Sequence, residues 1–506
     1  MEKYILTLDS GTTSCRSLIV NKKGDVVATS QIEITQFFPK SGWVEHDALE
    51  IWNAQLSTMQ SVKNKSKLKS DDIAALGITN QRETIVVWDK KSGMPIYNAI
   101  VWQDGRTSEY CDELIKQGHS EMITKKTGLI INPYFSGTKL RWILNNVPEA
   151  KEKLKKGDLL AGTIDTWLLW KLTGGKSFAT DVSNASRTLL FNIKTLKWDQ
   201  EILDLFGIPL SILPKVQPSS SHFGYIIPTH FSINAKNSVP ITGMIGDQQS
   251  ALFGQLCVEK GMIKNTYGTG CFTLVNTGDQ IIYSKNKLLS TVAWQIEGEK
   301  TQYALEGSVF IAGAAITWLR DSLKMVYNQK QMDSYADLVE KDSTQRVYVV
   351  PSFTGLGAPY WDSNSRGAIF GLERGTKREH IVKATLESIA YQANDLINSM
   401  AKDLGSKIKL MKVDGGVSNS NYLLGFQASI SDLKVSKPKN IETTAMGAAY
   451  MAGLQVKFWK NIEEIKKIAI IDKEFEPEIN SDERAKLIKG WNQAVKRTFN
   501  WIEDIN

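Results

Sequence analysis

Cysteine and histidine are scarce in this chain of 506 residues, which narrows the metal and redox sites that it can hold. The four cysteines form no Cys-x-x-Cys pair, and the five histidines are dispersed, with no His-Glu-x-x-His among them. The sequence therefore predicts neither a zinc site nor a thioredoxin-type motif. Four cysteines in so long a chain do not make a disulfide framework, so we expect free thiols in a reducing compartment.

Long apolar runs are also missing. No uncharged apolar stretch approaches the roughly 18 residues that a membrane-spanning helix needs. The apolar residues 4–8 are too few for a signal peptide, and they run straight into a polar motif. We therefore expect a cytoplasmic protein without membrane insertion.

The excess of positive charge is modest and scattered. The formal net charge is +7, and the two lysine-rich runs, 63–69 and 151–156, contain no aromatic residue. A groove for single-stranded nucleic acid interleaves basic and aromatic side chains. We therefore expect no nucleic-acid partner and interpret the runs as solvated faces.

What is present is an alternation of short β-branched or aliphatic runs with longer helical patterns, which predicts an α/β fold. At about 150 residues per domain, the length predicts two to four domains. A turn-rich stretch at 217–221 and a new strand at 241–245 place a boundary near 245–260. We predict domains of 1–252 and 253–506. Because each opens with a strand that ends in Gly and Asp, we also predict a duplicated architecture.

Periodicity places several elements. Strands are predicted at 4–8, 17–20 and 26–30 as an antiparallel meander, and at 73–78 with 84–88 as its neighbour. The clearest helix is predicted over 376–403, with Thr376 and Glu379 at capping-box spacing and Gly405 as its stop. A final amphipathic helix is predicted to begin at Asn480 and to carry its apolar stripe to Ile502.

The first chemical motif is an apolar strand that delivers an aspartate to a turn of glycine and hydroxyl residues. It is not a Walker A loop, because Gly-x-x-x-x-Gly-Lys-Ser/Thr is absent from the chain. Gly11 lets the backbone N–H groups turn inward, where they and nearby hydroxyls suit the oxygens of a nucleotide phosphate. We predict Asp9 as a ligand of hydrated Mg²⁺ and Arg16 as an offset for charge during phosphoryl transfer. The predicted phosphate-binding hydroxyls are those of Thr12, Thr13 and Ser14.

Two further glycine loops favour nucleotide binding. Residues 267–272 read as a hairpin tip, with Thr269 between two glycines, whose backbone can approach an anion closely. Residues 413–419 read as a strand that ends in Asp-Gly-Gly, against which an adenine or ribose can lie. A plain hairpin turn explains either loop alone. Together with the first motif, however, they predict a two-lobed nucleotide clamp.

Several longer stretches carry a family resemblance that covers essentially the whole chain. They are 79–84 (TNQRET), 162–167 (GTIDTW), 183–188 (SNASRT), 246–249 (GDQQ), and the patterns in 134–143 and 367–387. The sequence resembles the carbohydrate-kinase family that contains glycerol, xylulose and gluconate kinases. The resemblance implies a two-domain actin-like, ribonuclease H-like ATPase fold with a central cleft. It also implies ATP-dependent phosphorylation of a small polyol, of which glycerol is favoured, and a homodimer or larger oligomer.

The resemblance also implies a polyol pocket. Arg82 is expected to donate to substrate hydroxyl oxygens, Glu83 to accept from hydroxyl protons, and Asp247 to act as general base for the attacking hydroxyl. A pocket that pairs hydroxyls rejects a substrate that lacks one. The remaining pocket residues that the resemblance implies are Trp102, Tyr134, Gln248 and Phe272.

On the nucleotide side, the resemblance implies that Gly313 and Thr317 lie near the phosphate and ribose and that Gly416 faces adenine. Thr317 stands where a glutamine is frequent in the family, and Ser420 stands where an asparagine is frequent. Some relatives bind fructose bisphosphate through a Gly- and Arg-containing loop before Gly-Asp-Gln-Gln. Residues 231–238 contain neither residue type, so we do not expect that regulation.

Two other classes of function remain open at this point. One is a kinase of the same family that acts on another polyol or sugar. The other is an actin-like ATPase that uses water as the nucleophile and has no polyol substrate. The second needs no polyol pocket, whereas Arg82, Glu83 and Asp247 are all present here.

Overall fold

The computed structural model describes residues 2–231, 238–340 and 346–502. Six of the eight residues at 231–238, where we expected no fructose bisphosphate loop, lie outside the described residues. None of the described helices combines the length and apolar character that crossing a bilayer requires. All four cysteines are buried and free, which confirms the predicted thiols.

The elements up to residue 254 include a large sheet and the helices around it. The strands are β1 (Tyr4–Ser10), β2 (Ser14–Val20), β3 (Val26–Glu33), β4 (Glu45–His46), β5 (Ile73–Asn80), β6 (Ile85–Asp89), β7 (Ala99–Ile100), β8 (Leu159–Thr163), β9 (Ala179–Asp181), β10 (Phe191–Asn192), β11 (Lys197–Trp198), β12 (Lys215–Gln217), β13 (Ser220–Tyr225) and β14 (Pro240–Gly246). The helices are α1 (Ala48–Ser66), α2 (Ser108–Lys116), α3 (Ser120–Thr127), α4 (Ser136–Asn146), α5 (Pro148–Lys156), α6 (Ile164–Leu172), α7 (Val182–Ala185), α8 (Gln200–Phe206), α9 (Pro228–Phe231) and α10 (Asp247–Gly254).

The elements after residue 254 are organised around a second large sheet. The strands are β15 (Ile263–Tyr267), β16 (Cys271–Gly278), β17 (Leu289–Trp294), β18 (Gln302–Val309), β19 (Tyr348–Val350), β20 (Ala368–Phe370), β21 (Leu410–Asp414), β22 (Lys434–Pro438) and β23 (Ile471–Phe475). The helices are α11 (Gly313–Thr317), α12 (Gln329–Asp337), α13 (Arg378–Leu404), α14 (Asn421–Ser431), α15 (Thr443–Gln455), α16 (Ile462–Ile468) and α17 (Ser481–Lys496). A single π-helical turn, Trp318–Ser322, continues α11.

The two large sheets share one topology. The first has the order β13-β14-β5-β1-β2-β3, in which β14, β5 and β1 run parallel and β1, β2 and β3 form the predicted antiparallel meander. The second has the order β17-β18-β16-β15-β21-β22-β23, in which β15, β21 and β22 run parallel. Because both place a meander beside parallel strands, the predicted duplication is confirmed.

Two helices fill the space between the sheets. α15 packs on β14, β5 and β1 of the first sheet, and α10 contacts both β14 and the second-sheet strand β16. α10 and α15 also pack closely on each other. Their side chains, with Leu252, Phe253, Met446 and Ala449 among them, belong to one apolar cluster that joins the two sheets. The lobes therefore meet through a continuous core on one side of the site.

The segment after β5 departs from the sequence prediction. Residues 84–88 were expected to pair with β5, but β6 belongs to a separate sheet of order β4-β7-β6-β8 and pairs antiparallel with β8. Both edges of β5 are already occupied, by β1 and by β14. Glu83 has a φ of 61°, in the left-handed region, and this turn directs the chain out of the first sheet.

The predicted helix ends are partly confirmed. α13 ends at Gly405, which has the left-handed conformation expected of a stop, but the helix begins after Lys377. The Thr376 hydroxyl accepts instead from the Glu373 backbone, in a turn before the helix. Asn480 caps α17 as predicted. That helix ends at Lys496, however, so the apolar stripe does not continue along it to Ile502.

Candidate active site

Three parallel strands of the first sheet end side by side and deliver the predicted site residues. Asp9 in β1 lies opposite Thr79 in β5, and Asn80 at the end of β5 lies opposite Gly246 at the end of β14. Arg82 and Glu83 follow β5 directly, and Asp247 follows β14. Because the carboxyl ends of parallel strands form one edge, residues far apart in the chain converge there, as ligand sites in α/β sheets commonly do.

Arg82 is almost completely buried at this edge. Its Nη1 donates to Glu306 Oε2 at 2.5 Å and to Gln249 Oε1 at 3.0 Å, and its Nη2 donates to Glu306 Oε1 at 2.9 Å. Its Nε lies 3.2 Å from Asp247 Oδ1. A Cβ on Gly246 would come within 2.8 Å of Arg82 Cγ, so a larger residue there would displace the side chain.

Glu83 is held by an ion pair through its carboxylate and by a hydrogen bond to its backbone carbonyl. Arg187 Nε donates to Glu83 Oε1 at 2.6 Å, and the Ser136 hydroxyl donates to the Glu83 carbonyl at 2.7 Å. Burial raises the pKa of Glu83, although Arg82 and Arg187 oppose that shift. A left-handed φ at a non-glycine residue is uncommon and costs conformational energy, and such residues concentrate at functional sites. The strained turn and the buried carboxylate therefore mark one functional position.

Two members of this site were not among the predicted residues. Glu306, in β18 of the second sheet, is fully buried and accepts from Arg82 and from Arg187 Nη2, the latter at 3.0 Å. Burial alone would raise the pKa of Glu306, but the two guanidinium groups outweigh it and lower the pKa to about 2. The sequence indicated Glu306 only as a single acidic residue in the otherwise uncharged run YALEGSV. Arg187 lies within 183–188, one of the stretches that carry the family resemblance. We call Arg82, Glu83, Arg187, Asp247 and Glu306 the charged cluster.

Asp247 is the first residue of α10 and the most solvent-accessible carboxylate of the charged cluster. Its side chain is 26% exposed, whereas those of Glu83 and Glu306 are 2% and 0% exposed. Burial raises the pKa of Asp247, and Arg82 and the Gln248 backbone N–H partly oppose the shift. Asp247 can therefore reach a ligand and accept its proton.

Gln248 is fixed by a buried lysine that sequence reasoning also missed. Lys264 Nζ in β15 donates to Gln248 Oε1 at 2.5 Å and to the Thr266 hydroxyl at 2.8 Å. Burial lowers the pKa of Lys264 to about 8, although Asp414 and Glu306 oppose the shift. A lysine in the short strand IKNTY gave no specific signal, because most lysines are solvated. The second lobe thus positions one more predicted pocket residue.

Aromatic rings cover the charged cluster. The Trp102 ring packs edge-to-face on Tyr134, with centroids 5.4 Å apart, and on Phe272, with centroids 6.3 Å apart. The Arg187 guanidinium lies 5.6 Å from the Tyr134 ring centroid. Trp102 Nε1 donates to the Thr12 hydroxyl at 3.0 Å, which ties this cover to the first glycine turn. The structure therefore brings all the predicted polyol residues together.

The first glycine turn joins β1 to β2 next to this pocket. The Gly11 N–H donates to the Ser14 carbonyl at 2.9 Å, and Thr13 at the tip is exposed. Arg16 is half-buried and forms an ion pair with Glu442, which immediately precedes α15. The predicted charge-offsetting guanidinium therefore already has an anionic partner from the second half of the chain.

The other glycine loops contact one another. The Gly313 N–H at the start of α11 donates to the Gly268 carbonyl at 3.0 Å, and Ala312 and Ala314 donate to the Thr269 carbonyl. Gly415 has a φ of 86°, and a Cβ there would lie 2.3 Å from the Tyr267 carbonyl oxygen. We call the hairpin 268–270, the start of α11 at Gly313 and the turn 414–416 the glycine loops; they form one continuous surface.

Thr317 and Ser420 differ in how they relate to this surface. Thr317 is exposed at the end of α11. Ser420 is buried at the N-terminus of α14, where its hydroxyl accepts from the Leu423 N–H and donates to Asp333. The structure thus leaves the Thr317 side chain accessible, whereas the Ser420 side chain serves as a helix cap.

Asp9 is the predicted magnesium ligand. Burial raises the pKa of Asp9 to about 7; Arg16 opposes the shift, and the charges of Asp247 and Glu442 add to it. No group of three or more acidic, histidine or cysteine side chains that could hold a metal occurs in residues 2–231, 238–340 and 346–502. Mg²⁺ commonly keeps several waters and uses only one or two carboxylates together with substrate phosphates. Asp9, whose charge interacts with that of Asp247, fits that coordination.

Two duplicated α/β lobes, with a polar pocket beside a surface of glycine loops, define a sugar-kinase-like phosphotransferase of the actin-like class. Residues 4–254 match the FGGY family of carbohydrate kinases, N-terminal domain, and residues 263–456 match the C-terminal domain of that family. The chain belongs to the FGGY family of carbohydrate kinases. The two-domain actin-like fold that the sequence resemblance implied is confirmed.

Individual relatives are similar over their full length. The chain is 70% identical to a glycerol kinase of Mycoplasmopsis pulmonis and 65% identical to one of Malacoplasma penetrans, covering 100% of this chain and 99% of each relative. The crystal structure of a Plasmodium falciparum glycerol kinase with ADP superimposes with a TM-score of 0.92 at 37% identity, covering 98% of both chains. A xylulose kinase of Lactobacillus acidophilus, at 23% identity and a TM-score of 0.86, shares the fold.

Proposed function

We propose that this protein transfers the γ-phosphoryl group of ATP to a primary hydroxyl of glycerol, giving glycerol 3-phosphate. The observation that carries the proposal is the convergence of Arg82, Glu83 and Asp247 at one sheet edge, under an aromatic cover. The full-length similarity to proteins named glycerol kinase supports the choice of substrate.

The pocket suits a small triol. Arg82 donates to hydroxyl oxygens, and Glu83 accepts from hydroxyl protons, while Tyr134 and Gln248 supply further polar groups. Trp102 and Phe272, whose rings pack edge-to-face against each other, cover the carbon backbone. A substrate without one of these hydroxyls leaves a buried polar group unpaired, which penalises its binding strongly.

Asp247 is the general base of the proposed reaction. Phosphoryl transfer depends chiefly on positioning and charge, and a carboxylate beside the attacking hydroxyl orients it and accepts its proton. The raised pKa of Asp247 supports this role, because a more basic carboxylate takes a proton more readily. Its partial exposure leaves room for the hydroxyl.

The first glycine turn and the glycine loops hold the nucleotide. The first glycine turn contacts the phosphates, and Gly416 faces adenine. Arg16 offsets the negative charge that develops during transfer, either after its ion pair with Glu442 breaks or while it contacts both Glu442 and the phosphates. Asp9 would hold Mg²⁺, and that ion would neutralise part of the phosphate charge. The chain's own contribution is to position ATP and to exclude water when the lobes close. The proposed nucleotide residues are Thr12, Thr13, Ser14, Thr269, Gly313, Thr317 and Gly416. Ser420, which the resemblance also implied, is proposed only to support the neighbouring turn at Gly416, because its buried hydroxyl is already bonded to Asp333 and to the Leu423 N–H.

We also propose the wider organisation that the sequence predicted. The division into domains 1–252 and 253–506 is supported by the two large sheets, which lie on either side of that boundary, although the boundary falls within α10 and α15 of the second half packs on the first sheet. A homodimer and a cytoplasmic location belong to the same proposal. Sedimentation of the purified protein at several concentrations tests the dimer.

The test of function is ADP release from Mg-ATP. The panel is glycerol, dihydroxyacetone, erythritol, ribitol, xylulose, gluconate and a control without acceptor. We expect a large response to glycerol. A larger response to another acceptor would overturn the substrate assignment in favour of that polyol or sugar. Equal ADP release in every well, including the control, would overturn the kinase proposal in favour of an ATPase that uses water.

A further inference from the structure

Glu306 occupies an unusual place relative to the pocket. It lies in β18 of the second sheet, whereas Arg82 and Arg187 belong to the part of the chain before residue 254. One fully buried carboxylate therefore accepts three hydrogen bonds from two arginines of the opposite half. Such charge-assisted bonds are shorter and stronger than neutral ones and hold a planar guanidinium in one orientation.

The orientation of Arg82 depends on this carboxylate. A guanidinium has five N–H bonds, of which Arg82 gives three to Glu306 and Gln249. The Nε edge faces Asp247 at 3.2 Å, and Glu83 Oε1 lies 3.8 Å from the same nitrogen. Without the charge of Glu306, Arg82 is free to turn its paired N–H groups onto Asp247. That pairing removes donors from the pocket and engages the carboxylate that the proposed reaction needs.

Glu83 depends on Glu306 through a second route. Arg187 is fully buried, and it bridges the two acids by donating from Nε to Glu83 and from Nη2 to Glu306. The Arg187 side chain is therefore oriented by both carboxylates at once. A change at Glu306 alters the position of Glu83 without touching it.

We propose that Glu306 is a positioning residue for polyol recognition, which acts from the second lobe by orienting Arg82 directly and Glu83 through Arg187. The inference rests on the proposed function, because it concerns the same pocket. Glu306 sets the hydroxyl selectivity of the pocket and contributes little to nucleotide binding. The glycine loops are joined to one another by backbone hydrogen bonds, such as that from the Gly313 N–H to the Gly268 carbonyl.

The test compares Glu306→Gln with Glu387→Gln. The control residue is also a buried glutamate of the second lobe near an arginine, Arg346, and it accepts from the Tyr422 hydroxyl. For each protein we would measure kcat and KM for glycerol, kcat/KM for propane-1,2-diol, which lacks one hydroxyl, and KM for ATP. KM values and ratios of kcat/KM do not depend on the fraction of enzyme that is folded.

In Glu306→Gln we expect KM for glycerol to rise at least tenfold, the preference for glycerol over propane-1,2-diol to fall at least tenfold, and KM for ATP to change less than twofold. Glu387→Gln should leave all three near wild type. Glu306→Asp keeps the charge but is shorter, so its selectivity should lie between those of wild type and Glu306→Gln. If Glu306→Gln does not fold, Glu306→Asp decides the question by the same measurements.

Three results would overturn the inference. They are an unchanged KM for glycerol and unchanged selectivity in the Glu306 variants, equal rises in KM for glycerol and for ATP, and the same changes in Glu387→Gln. Wild-type protein that phosphorylates neither glycerol nor propane-1,2-diol would overturn the proposed function instead. The response of the wild type to glycerol thus separates the two failures.

Discussion

The polyol pocket is held together by side-chain contacts, whereas the glycine loops are held together by backbone contacts. In the pocket, the charged cluster is assembled from side chains that bond one another across the two halves of the chain. The glycine loops present backbone, with Gly268 and Thr269 exposed and Gly313 bonded to the neighbouring loop. Side-chain contacts thus set the geometry of the pocket, whereas backbone contacts set the shape of the loops. Side-chain changes should therefore damage the pocket more than the loops.

The largest effect should follow the loss of the proposed base. Asp247→Asn should lower kcat by roughly 10²-fold or more, because general-base catalysis typically contributes that much. ATP affinity, measured by calorimetry, should stay within about threefold of wild type, since Asp247 belongs to the pocket. Asp472→Asn, a change at an exposed position in β23, is the control. Activity above about a tenth of wild type in Asp247→Asn would remove Asp247 from the base role.

The next largest effect should come from Arg82→Ala. Truncating one partner of a buried charge pair typically costs 2–5 kcal/mol or more, so kcat/KM for glycerol should fall roughly 10²-fold. KM for ATP should change much less. Arg320→Ala, at an exposed position after α11, provides the control. An unchanged KM for glycerol together with an unchanged kcat would contradict the assignment of Arg82 to the pocket.

The glycine loops should be sensitive to backbone displacement. In Gly313→Ala the new Cβ would lie 2.6 Å from the Gly268 carbonyl oxygen, so the hairpin must shift. We expect KM for ATP to rise about tenfold, because small displacements of positioning groups are costly, while KM for glycerol changes little. Gly425→Ala in α14, with its nearest contact at 3.8 Å, is the matched control. Equal rises in both KM values would show that the two regions are not separable.

A buried carboxylate outside the charged cluster provides a contrast in pH dependence. Asp165 accepts from the Thr163 and Thr180 hydroxyls, and burial, assisted by Asp181, raises its pKa to about 7. A raised folded-state pKa means that its contribution to stability is present below about pH 4 and is lost as the pH rises to 7. Asp165→Asn should therefore reduce the loss of stability between pH 4 and 7, by on the order of 4 kcal/mol for a shift of about three pKa units.

Glu306 should not behave in this way, because its pKa of about 2 keeps it charged throughout that range. Differential scanning calorimetry of wild type, Asp165→Asn and Asp472→Asn at several pH values makes the measurement. Parallel stability curves for wild type and Asp165→Asn would contradict the assignment of the pH dependence to Asp165.

The smallest effect should be seen at the rim of the nucleotide side. Glu442 is 37% exposed in its side chain and pairs with Arg16, which is 26% exposed. Partly exposed ion pairs contribute about 0–1 kcal/mol, so Glu442→Gln should lower KM for ATP by no more than about fivefold. The change should shrink at high salt, which screens exposed charges. A higher KM for ATP in Glu442→Gln would instead indicate that the pair orients Arg16 for the phosphates.

Local sequence was sufficient for features that depend on neighbouring residues. The meander of β1, β2 and β3, the stop at Gly405 and the cap at Asn480 follow from alternation, from glycine in the left-handed region and from an amide that accepts backbone N–H groups. The fold class followed from the alternation of strands and helices and from the family resemblance. The prediction that residues 84–88 pair with β5 was wrong, because the partners of β5 are β1 and β14, which are distant from it in the sequence.

The sequence by itself determined which residue types could bind hydroxyls and phosphates, because motifs such as 79–84 and 246–249 are contiguous. Only the tertiary structure decided which other side chains position those residues. Glu306 bonds Arg82 across 224 positions of sequence, and Ser420 caps a helix with Asp333 as its partner. A buried charge requires a counter-charge at hydrogen-bond distance, and that distance is set by how the two sheets pack rather than by the order of residues.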